Sequence, residues 1–299
     1  MSVKTWGWLG TGRMGTQMAS RLLRQEKSLR VWNRTSSKTQ SLLDAGATPA
    51  HEIRDLSDLD AVFICVTKSE DLLQVTLGEG GLLAGAAVPR FVIDSSTVSA
   101  ATSAEVRAAA EQRGVQFLAA PISGNPDMVR EGVAALVVYG PKDAFDAVHA
   151  GLTAIAPTVV YSGVGEEARL VKICHNLLLG VITQALSEVA TLAEKGGVNN
   201  GAFFDFICGS VLGSSFITHK GRAITERDYE PTFTSVNLRK DFDIGMSEAR
   251  TLEVPMLLTA STYQLIQTAI GRGYGQHDYV SLYEVQAAGA GLETGAAPL

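Results

Sequence analysis

Short apolar runs alternate with stretches of helical periodicity between residues 5 and 161. Strands separated by helices are typical of a doubly wound, mostly parallel sheet. The predicted strands are Thr5–Leu9, Leu29–Trp32, Ala61–Val66, Phe91–Ile93, Val115–Leu118, Ala134–Tyr139 and Thr158–Tyr161. The helices predicted between them include Ser37–Ala45, Ser69–Val75, Ala101–Arg113 and Lys142–Ile155.

The pattern changes near Gly163, where strand-like runs nearly vanish and helical periodicity takes over. The predicted helices there are Glu166–Lys195, Gly201–Cys208, Phe233–Thr251, Val254–Arg272 and Tyr279–Ala287. A chain of 299 residues is long for one core. We therefore expect an α/β fold, with a Rossmann-type doubly wound sheet over residues 1–162 and an all-helical domain over residues 163–288. Residues 289–299 are rich in Gly and Ala and predict a disordered tail.

Composition narrows the function classes. The chain has 25 basic and 31 acidic residues, a net charge of −6, and no long run of one sign. A nucleic-acid partner is therefore not expected, because such proteins carry a basic patch. Cys65, Cys174 and Cys208 stand singly in apolar surroundings, so we expect reduced core residues and neither disulfides nor a metal site. The sequence shows no signal peptide and no apolar span of membrane length, which predicts a cytoplasmic protein without a membrane partner.

A glycine-rich turn directly follows the first predicted strand and precedes a helical pattern. Gly10 permits a tight turn, Gly12 lets the backbone approach a pyrophosphate, and Gly15 lets the helix pack closely on the strand. The helix N-terminus then offers N–H groups and a positive dipole end to phosphates. The sequence therefore predicts a dinucleotide site, whose residues are Gly10, Thr11, Gly12, Arg13, Met14 and Gly15.

The loop after the second predicted strand bears on the choice of cofactor. NAD-binding proteins usually place a carboxylate there to accept from the ribose 2′-hydroxyl. This chain instead has Asn33, Arg34 and Thr35, with Lys38 close behind and no carboxylate to repel a phosphate. A guanidinium can bind phosphate with two parallel hydrogen bonds. The loop therefore predicts NADP(H), and the alternative is an ordinary solvated basic loop.

Lys172 and Asn176 lie in the apolar stretch Gly163–Gly180, which predicts a long and largely buried helix. Side chains at positions i and i+4 share a helix face, so the amine and the amide point into the same space. A buried lysine is costly unless it is partnered or solvated in a cleft. The alternative is that Lys172 reaches along the surface to water, but the other motifs favour a role in chemistry.

Four ordered motifs make the chain resemble the β-hydroxyacid dehydrogenases, a family that includes 3-hydroxyisobutyrate dehydrogenase and the glyoxylate and succinic semialdehyde reductases. A Lys240-Asp241 pair matches the family further downstream, and the resemblance covers nearly the whole chain. The motifs are the glycine turn, Asp94-Ser95-Ser96-Thr97, Ala120-Pro121-Ile122-Ser123-Gly124, and Gly163-x-Gly165 followed by Lys172 and Asn176.

The resemblance implies hydride transfer between a nicotinamide and a small carboxylated aldehyde or 3-hydroxy acid. The cofactor supplies the difficult chemistry, and the protein supplies position and electrostatic field. Lys172 would act as the general acid or base, with Asn176 orienting the substrate or the amine, because a desolvated amine suits acid–base work near neutral pH. Further cofactor contacts are expected from Val66, Thr67 and Thr97.

The substrate carboxylate would bind at Ser123, Gly124 and Asn125, where backbone N–H groups form a plausible nest. Lys240 would add positive charge beside that carboxylate or the cofactor, and the alternative is a surface pair with Asp241 or Asp243.

The chain departs from the family pattern in ways that affect the substrate. Asn125 replaces a glycine, which adds an amide that can hydrogen-bond a polar group or crowd a bulky one. Ala100 replaces a proline, which we expect to alter only a helix start. Asn125, together with the loop that predicts NADP(H), favours a semialdehyde or glyoxylate reductase.

Two other functions stay open at this point. Imine reductases share the architecture, although they typically carry Asp or Tyr at the position of Lys172. A catalytically silent NADP-binding scaffold is the alternative of another class, and such a relative would be expected to lose the lysine. The resemblance also implies a homodimer or tetramer that forms through the helical domain.

Overall fold

The computed structural model describes residues 3–25, 28–164 and 167–295, and for residues 167 and 168 it describes the backbone only. The chain forms two compact units, Met1–Lys172 and Ile173–Leu299. The boundary falls inside one long helix, so the first turns of that helix belong to the first unit.

The first unit is built on a parallel sheet with the strand order β3-β2-β1-β4-β5-β6. This arrangement confirms the Rossmann-type fold that the sequence predicts. Successive residues of the central strands face opposite sides of the sheet: Trp8 and Phe63 enter one core cluster, and Leu9 and Ile64 enter the other. The strands are β1 (Trp6–Leu9), β2 (Leu29–Trp32), β3 (Thr48–Pro49), β4 (Ala61–Ile64), β5 (Phe91–Asp94) and β6 (Gln116–Ala119).

The last strands of this unit form a separate, smaller sheet in the order β7 (Ile122–Ser123), β8 (Ala135–Val138) and β9 (Thr158–Tyr161). The prediction that β8 and β9 belong to one doubly wound sheet with the earlier strands is wrong, and β7 was not predicted. The chain pairs antiparallel beyond β6, where Ala119 and Tyr139 exchange both backbone hydrogen bonds at 2.8 Å. The β7–β8 pair is antiparallel as well, so β8 cannot extend the parallel order.

The helices of the first unit follow the predicted alternation with a few differences. The predicted helix Ser37–Ala45 begins as a 3₁₀ turn, Ser36–Thr39. The helix predicted from Ala101 begins one residue earlier, at Ala100, and Ser99 caps it by accepting from the Thr102 N–H at 3.2 Å. The short helix α5 was not predicted. The helices are α1 (Arg13–Gln25), α2 (Gln40–Asp44), α3 (Ser69–Thr76), α4 (Ala100–Gln112), α5 (Pro126–Glu131) and α6 (Lys142–Ile155).

The second unit is helical, as predicted, with short 3₁₀ turns at Tyr274–Gln276 and Tyr279–Ser281. Helix α9 was missed because its buried face consists of Lys220, Gly221 and Ile224, which do not form an apolar stripe. The helices are α7 (Glu167–Lys195), α8 (Asn200–Gly209), α9 (Ser215–Glu226), α10 (Ser235–Thr251), α11 (Leu257–Gly271) and α12 (Leu282–Gly289).

One stretch of α7, Arg169–Lys195, is long and apolar enough for a membrane span by length and composition. The expectation that the chain has no apolar span of membrane length is therefore wrong. Half of its most apolar window is buried inside the molecule, and the core helix of a helical bundle passes the same test.

The described part of the predicted disordered tail is held by hydrogen bonds within the second unit. The Gly295 N–H donates to Glu284 at 2.9 Å, and the Tyr274 hydroxyl donates to the Gly295 carbonyl at 3.1 Å. Arg227 donates to the Glu293 carbonyl at 2.8 Å. Residues up to 295 thus differ from the disorder predicted for them, and residues 296–299 lie outside the described residues.

Candidate active site

The glycine turn after β1 has the backbone that its sequence requires. Gly10 has φ of +96°, and a Cβ there would lie 2.3 Å from the Cys65 carbonyl oxygen. A Cβ on Gly15 would lie 2.1 Å from the Gly10 carbonyl oxygen, so neither position accepts a side chain without a backbone shift. The space in front of Gly12 is open, with no atom within 4 Å of a Cβ built there. The turn is tight on its protein side and open where a ligand would approach.

A cleft of about 590 Å³ opens beside this turn in the first unit. Its volume is in the range of small-molecule and cofactor sites. Arg13 begins α1 at the edge of the cleft, so the helix dipole adds positive potential there. These features fit the phosphates of a dinucleotide. The lining residues are Thr11, Gly12, Arg13, Thr16, Gln17, Ser37, Lys38, Gln40, Ser41 and Pro126.

Not every residue of the predicted fingerprint lines the cleft. Met14 packs against the core beside the sheet, and Gly15 is buried in α1. The Asn33 side chain makes hydrogen bonds within the protein. Its Oδ1 accepts from the Thr11 N–H at 2.9 Å, and its Nδ2 donates to the Thr35 carbonyl at 2.9 Å. Asn33 therefore ties the glycine turn to the loop after β2.

Arg34 does have a carboxylate beside it, which corrects the sequence analysis. The Arg34 side chain is 82% exposed, and its Nη1 lies 3.2 Å from Asp71 Oδ1 in the first turn of α3. Lys38 in the same loop lines the cleft. The sequence alone could not reveal Asp71, because it follows β4 and only the strand order β2-β1-β4 brings the two loops to the same sheet edge.

The carboxyl ends of β4 and β5 form a buried polar cluster. Asp94 Oδ1 accepts from the Ser96 N–H at 3.0 Å, and Ser96 Oγ accepts from the Val66 N–H at 2.9 Å. Arg169 of α7 donates to Asp94 Oδ2, and it donates to the Ser96 carbonyl at 2.8 Å. Sequence reasoning missed Arg169. The one signal was a second basic residue in the apolar stretch around Lys172.

The remaining predicted residues at these strand ends differ in exposure. Thr97 is half-buried after β5, and Thr67 is exposed after β4.

Burial, together with the nearby Asp94 carboxylate, raises the pKa of the Cys65 thiol to about 12. The thiol next to the glycine turn is therefore protonated at neutral pH and is not a nucleophile.

The predicted substrate turn lies between β7 and α5. Gly124 has φ of +140°, and a Cβ there would lie 3.2 Å from the Ala134 side chain. Asn125 is the N-cap of α5, where its Oδ1 accepts from the Met128 N–H at 2.9 Å and Pro126 takes the first helical position. The Asn125 amide oxygen is therefore committed to the helix, which explains this departure from the family pattern without a substrate.

Lys172 and Asn176 lie one turn apart on α7, and both side chains are buried. In the second unit the Asn176 Nδ2 donates to Asp241 Oδ2 at 2.5 Å. His175 Nδ1 lies 3.0 Å from Asn176 Oδ1, within hydrogen-bond distance when that nitrogen carries the proton. The amide of Asn176 is thereby held in one orientation. Because the Lys172 side chain is buried, it does not reach along the surface to water, which was the alternative to a role in chemistry.

Lys240 forms an ion pair with Asp241, which is the alternative that the sequence offered for it. Its Nζ lies 3.4 Å from Asp241 Oδ1, and its side chain is about one-third exposed. The other proposed partner, Asp243, accepts from the Tyr263 hydroxyl at 2.6 Å. Asp241 is buried and belongs to the network, although the sequence analysis treated it only as a partner of Lys240.

The three cysteines were expected to be core residues, and this prediction is wrong for their burial. Cys174 of α7 is exposed, whereas Cys65 and Cys208 are half-buried, and none of the three forms a disulfide. Within residues 3–25, 28–164 and 167–295, no group of three or more His, Cys, Asp or Glu side chains is arranged to hold a metal ion.

Two family models match consecutive parts of the chain. The NAD binding domain of 6-phosphogluconate dehydrogenase matches residues 5–163, and the NAD-binding domain of NADP-dependent 3-hydroxyisobutyrate dehydrogenase matches residues 167–286. The uncharacterized oxidoreductase YfjR of Bacillus subtilis is 30% identical over 92% of this chain and 96% of its own. The chain belongs to the β-hydroxyacid dehydrogenase family, and it is an NAD(P)-dependent oxidoreductase.

The chain is also similar to a longer protein and to solved structures of related enzymes. The cytokine-like nuclear factor N-PAC of Homo sapiens is 27% identical over 93% of this chain, which spans only half of that protein. The structure of 3-hydroxyisobutyrate dehydrogenase (ygbJ) from Salmonella typhimurium is 26% identical, with a TM-score of 0.85 over 94% of this chain and 99% of that one. An imine reductase from Myxococcus stipitatus, 20% identical with a TM-score of 0.61 over 93% and 98% of the two chains, shares the fold.

Proposed function

We propose that the protein is an NADP(H)-preferring reductase of small carboxylated aldehydes, such as a semialdehyde or glyoxylate, and oxidises the corresponding hydroxy acids in reverse. The observation that carries this proposal is the buried Lys172 on α7, one turn before an Asn176 whose amide is held by Asp241. A buried amine beside a fixed amide is suited to proton transfer to a reduced carbonyl oxygen.

The proposed chemistry divides between cofactor and protein. A nicotinamide cofactor would, when bound, supply the hydride in the reductive direction and accept it in the oxidative direction. Lys172 donates a proton to the forming alkoxide, or takes it back from the hydroxy acid in the reverse direction. Ser123 and the backbone N–H groups beside Gly124 bind the substrate carboxylate, which holds the carbonyl in place.

The proposed preference for NADP(H) rests on Arg34 and Lys38. The exposed Arg34–Asp71 pair is worth about 0–1 kcal/mol, so the guanidinium can exchange that carboxylate for a more highly charged phosphate. Arg34→Ala should therefore weaken NADPH binding by about tenfold, as expected for one lost charge-assisted hydrogen bond, with little effect on NADH. Equal losses for the two cofactors in a fluorescence titration would refute the phosphate role.

The activity is tested by initial rates of NADPH and NADH oxidation with glyoxylate, succinic semialdehyde, methylmalonate semialdehyde and one cyclic imine. We expect turnover of a carboxylated aldehyde, faster with NADPH. Turnover of the imine alone would favour the imine reductase alternative. Cofactor binding without turnover of any 3-hydroxy acid, aldehyde or imine would favour the silent scaffold.

Lys172→Met tests the role of the amine. Turnover should fall by about two or more orders of magnitude, as for a lost acid or oxyanion donor, while NADPH binding survives. Lys195→Met, at the exposed end of the same helix, is the matched control and should keep full activity. Unchanged turnover in Lys172→Met would overturn the assignment.

We also propose that the helical part pairs with a second copy to form a homodimer or tetramer. Its helices, and the turn between α8 and α9, expose large apolar side chains, which a monomer leaves in water. Sedimentation showing a monomer at micromolar concentration would contradict this. The exposed side chains include Leu178, Leu192, Phe206, Val211, Leu212, Leu257 and Leu258.

A further inference from the structure

A buried ion pair joins the start of α7 to the end of β5 within the first unit. Arg169 is only 2% exposed, and Asp94 is fully buried. The guanidinium donates to Asp94 Oδ2 with one nitrogen and to the Ser96 carbonyl at 2.8 Å with another. One side chain therefore grips both a carboxylate and a backbone oxygen, which the planar fork of arginine allows.

The groups that receive these bonds are themselves fixed. Asp94 Oδ1 accepts from the Ser96 N–H at 3.0 Å, and Ser96 Oγ accepts from the Val66 N–H at 2.9 Å. The Ser95 N–H donates to the Ile64 carbonyl at 2.8 Å, which continues the pairing of β4 with β5. Arg169 is thus attached to the rigid carboxyl edge of the sheet, where ligands of open α/β sheets bind.

Arg169 lies three residues before Lys172 on the same helix. Three residues advance a helix by about 4.5 Å and return to nearly the same face. A shift or rotation of the first turns of α7 would therefore move Arg169 and the Lys172 amine together, by about the same distance. The two side chains are therefore mechanically coupled, and the anchor of one limits the freedom of the other.

We propose that Arg169 is a positioning residue, which through Asp94 and Ser96 sets the place of the Lys172 amine relative to the carboxyl ends of β4 and β5. The inference rests on the proposed role of Lys172 as the acid. It assigns Arg169 no contact with substrate or cofactor. A buried ion pair adds little net stability compared with apolar residues of the same volume, so positioning gives this pair a function that stability alone does not.

The test uses Arg169→Lys in the full-length protein. Lysine keeps the positive charge for Asp94 but lacks the planar fork that reaches Ser96 as well. We expect NADPH affinity within about threefold of the native value and kcat lower by about 10–100-fold, since a misplacement of about 1 Å costs that much. The KM for the aldehyde should change little. The primary isotope effect with 4-deuterated NADPH should rise, because the chemical step becomes rate-limiting.

Two further variants separate positioning from stability. Methylguanidinium added to Arg169→Ala should restore part of kcat, because it can refill the pocket between Asp94 and Ser96. Lys220→Met breaks a buried ion pair in the second unit, and it should lower the unfolding midpoint without changing kcat or the isotope effect.

Each remaining outcome decides the question. Native kcat in Arg169→Lys, with Lys172→Met inactive, overturns the positioning role and leaves the proposed function standing. Full activity in Lys172→Met removes both. A parallel loss of NADPH affinity, stability and kcat shows a merely structural pair. Should Arg169→Lys fail to fold, Asp94→Asn takes its place with the same expected split, and failure of both to fold also overturns the proposal.

Discussion

Among the residues that the structure describes, each unit contains a buried cation paired with a buried aspartate, and the two pairs differ in their surroundings. In the first unit, Arg169 meets Asp94 at the carboxyl edge of the parallel sheet, beside the segment that leads into Thr97. In the second unit, Lys220 of α9 meets Asp278 at 2.7 Å, before the 3₁₀ turn Tyr279–Ser281. The Arg169–Asp94 pair therefore lies next to the candidate site, whereas the Lys220–Asp278 pair connects α9 to the segment before the 3₁₀ turn.

The Lys220–Asp278 joint is the more heavily bonded of the two. Asp278 accepts from the N–H and hydroxyl of Thr232 at 3.0 and 2.6 Å and from the Val280 N–H at 3.0 Å, and Lys220 Nζ lies 4.2 Å from the centre of the Tyr279 ring. Burial lowers the pKa of Lys220, and Asp278 opposes that shift. A buried pair is thus no sign of catalysis by itself. What distinguishes Arg169 is its attachment to the helix turn that carries Lys172.

The largest expected effect sharpens this contrast. Asp278→Ala leaves Lys220 charged and buried without its carboxylate and also removes the acceptor for Thr232 and Val280. We expect a loss of about 3–5 kcal/mol in the free energy of unfolding, measured with urea, and a native kcat. Asp205→Ala, on the exposed face of α8, is the control and should stay within about 0.5 kcal/mol. A fall in kcat at temperatures where Asp278→Ala is folded would contradict the division of roles.

A smaller effect tests whether close packing, rather than charge, holds α7 in the second unit. A Cβ on Gly180 would lie 2.6 Å from the Phe242 ring, so Gly180→Ala should cost about 1–3 kcal/mol through overpacking. Gly209→Ala adds a methyl group where no atom lies within 4 Å and should be neutral or slightly stabilising. Thermal unfolding of the two variants provides the comparison, and equal midpoints would show that α7 can shift away from Phe242.

A neutral polar contact in the first unit should matter less than either ion pair. Asn125→Ala removes the N-cap of α5 and should cost about 1 kcal/mol, whereas Asn125→Asp keeps an acceptor and most of that stability. The KM for the aldehyde is measured in the same variants, to test whether Asn125 also contacts the substrate. If KM for the aldehyde rises tenfold in Asn125→Ala while α5 keeps its stability, Asn125 contacts the substrate after all.

The smallest effect concerns a carboxylate that is held by backbone N–H groups. Asp60 Oδ2 accepts from Lys4 and Thr5 at 2.8 and 3.0 Å, and the Lys4 N–H is the main cause of its lowered pKa. Asp60→Asn should cost about 1 kcal/mol at pH 7. Because the folded-state pKa lies below the unfolded value of 3.8, this stabilisation is present above pH 3.8 and is lost as pH falls through the folded pKa. Glu79→Gln is the exposed control, and a difference that persists at pH 2 would contradict the account.

Local chemistry is what made parts of this protein predictable. The glycine turn could be predicted because a Cβ on Gly15 would meet the Gly10 carbonyl within a single strand–turn–helix unit, a constraint contained in consecutive residues. Strand β2 and strand β9 have the predicted bounds, since short β-rich runs end at clear breaks in the pattern. Lys172 and Asn176 could be paired from helical spacing alone.

The partners of these residues could not be predicted in the same way. Asp94 and Arg169 are 75 residues apart, and Arg34 and Asp71 are 37 apart, so each contact depends on strand order and helix placement. Helix α9 was missed because a buried lysine reads as a surface residue until Asp278, 58 residues later, is seen beside it.

The sequence by itself determined the two-part α/β fold and the positions of the glycine turn and the Lys172 helix, because each follows from periodicity or spacing within a few turns of chain. The family could be named from the sequence as well, but by the resemblance of several ordered motifs to those of known proteins. Only the tertiary structure decided which charges are paired: Asp71 with Arg34, Asp94 with Arg169 and Asp278 with Lys220. Electrostatic pairing depends on distance in space and on burial, and neither is encoded in local pattern.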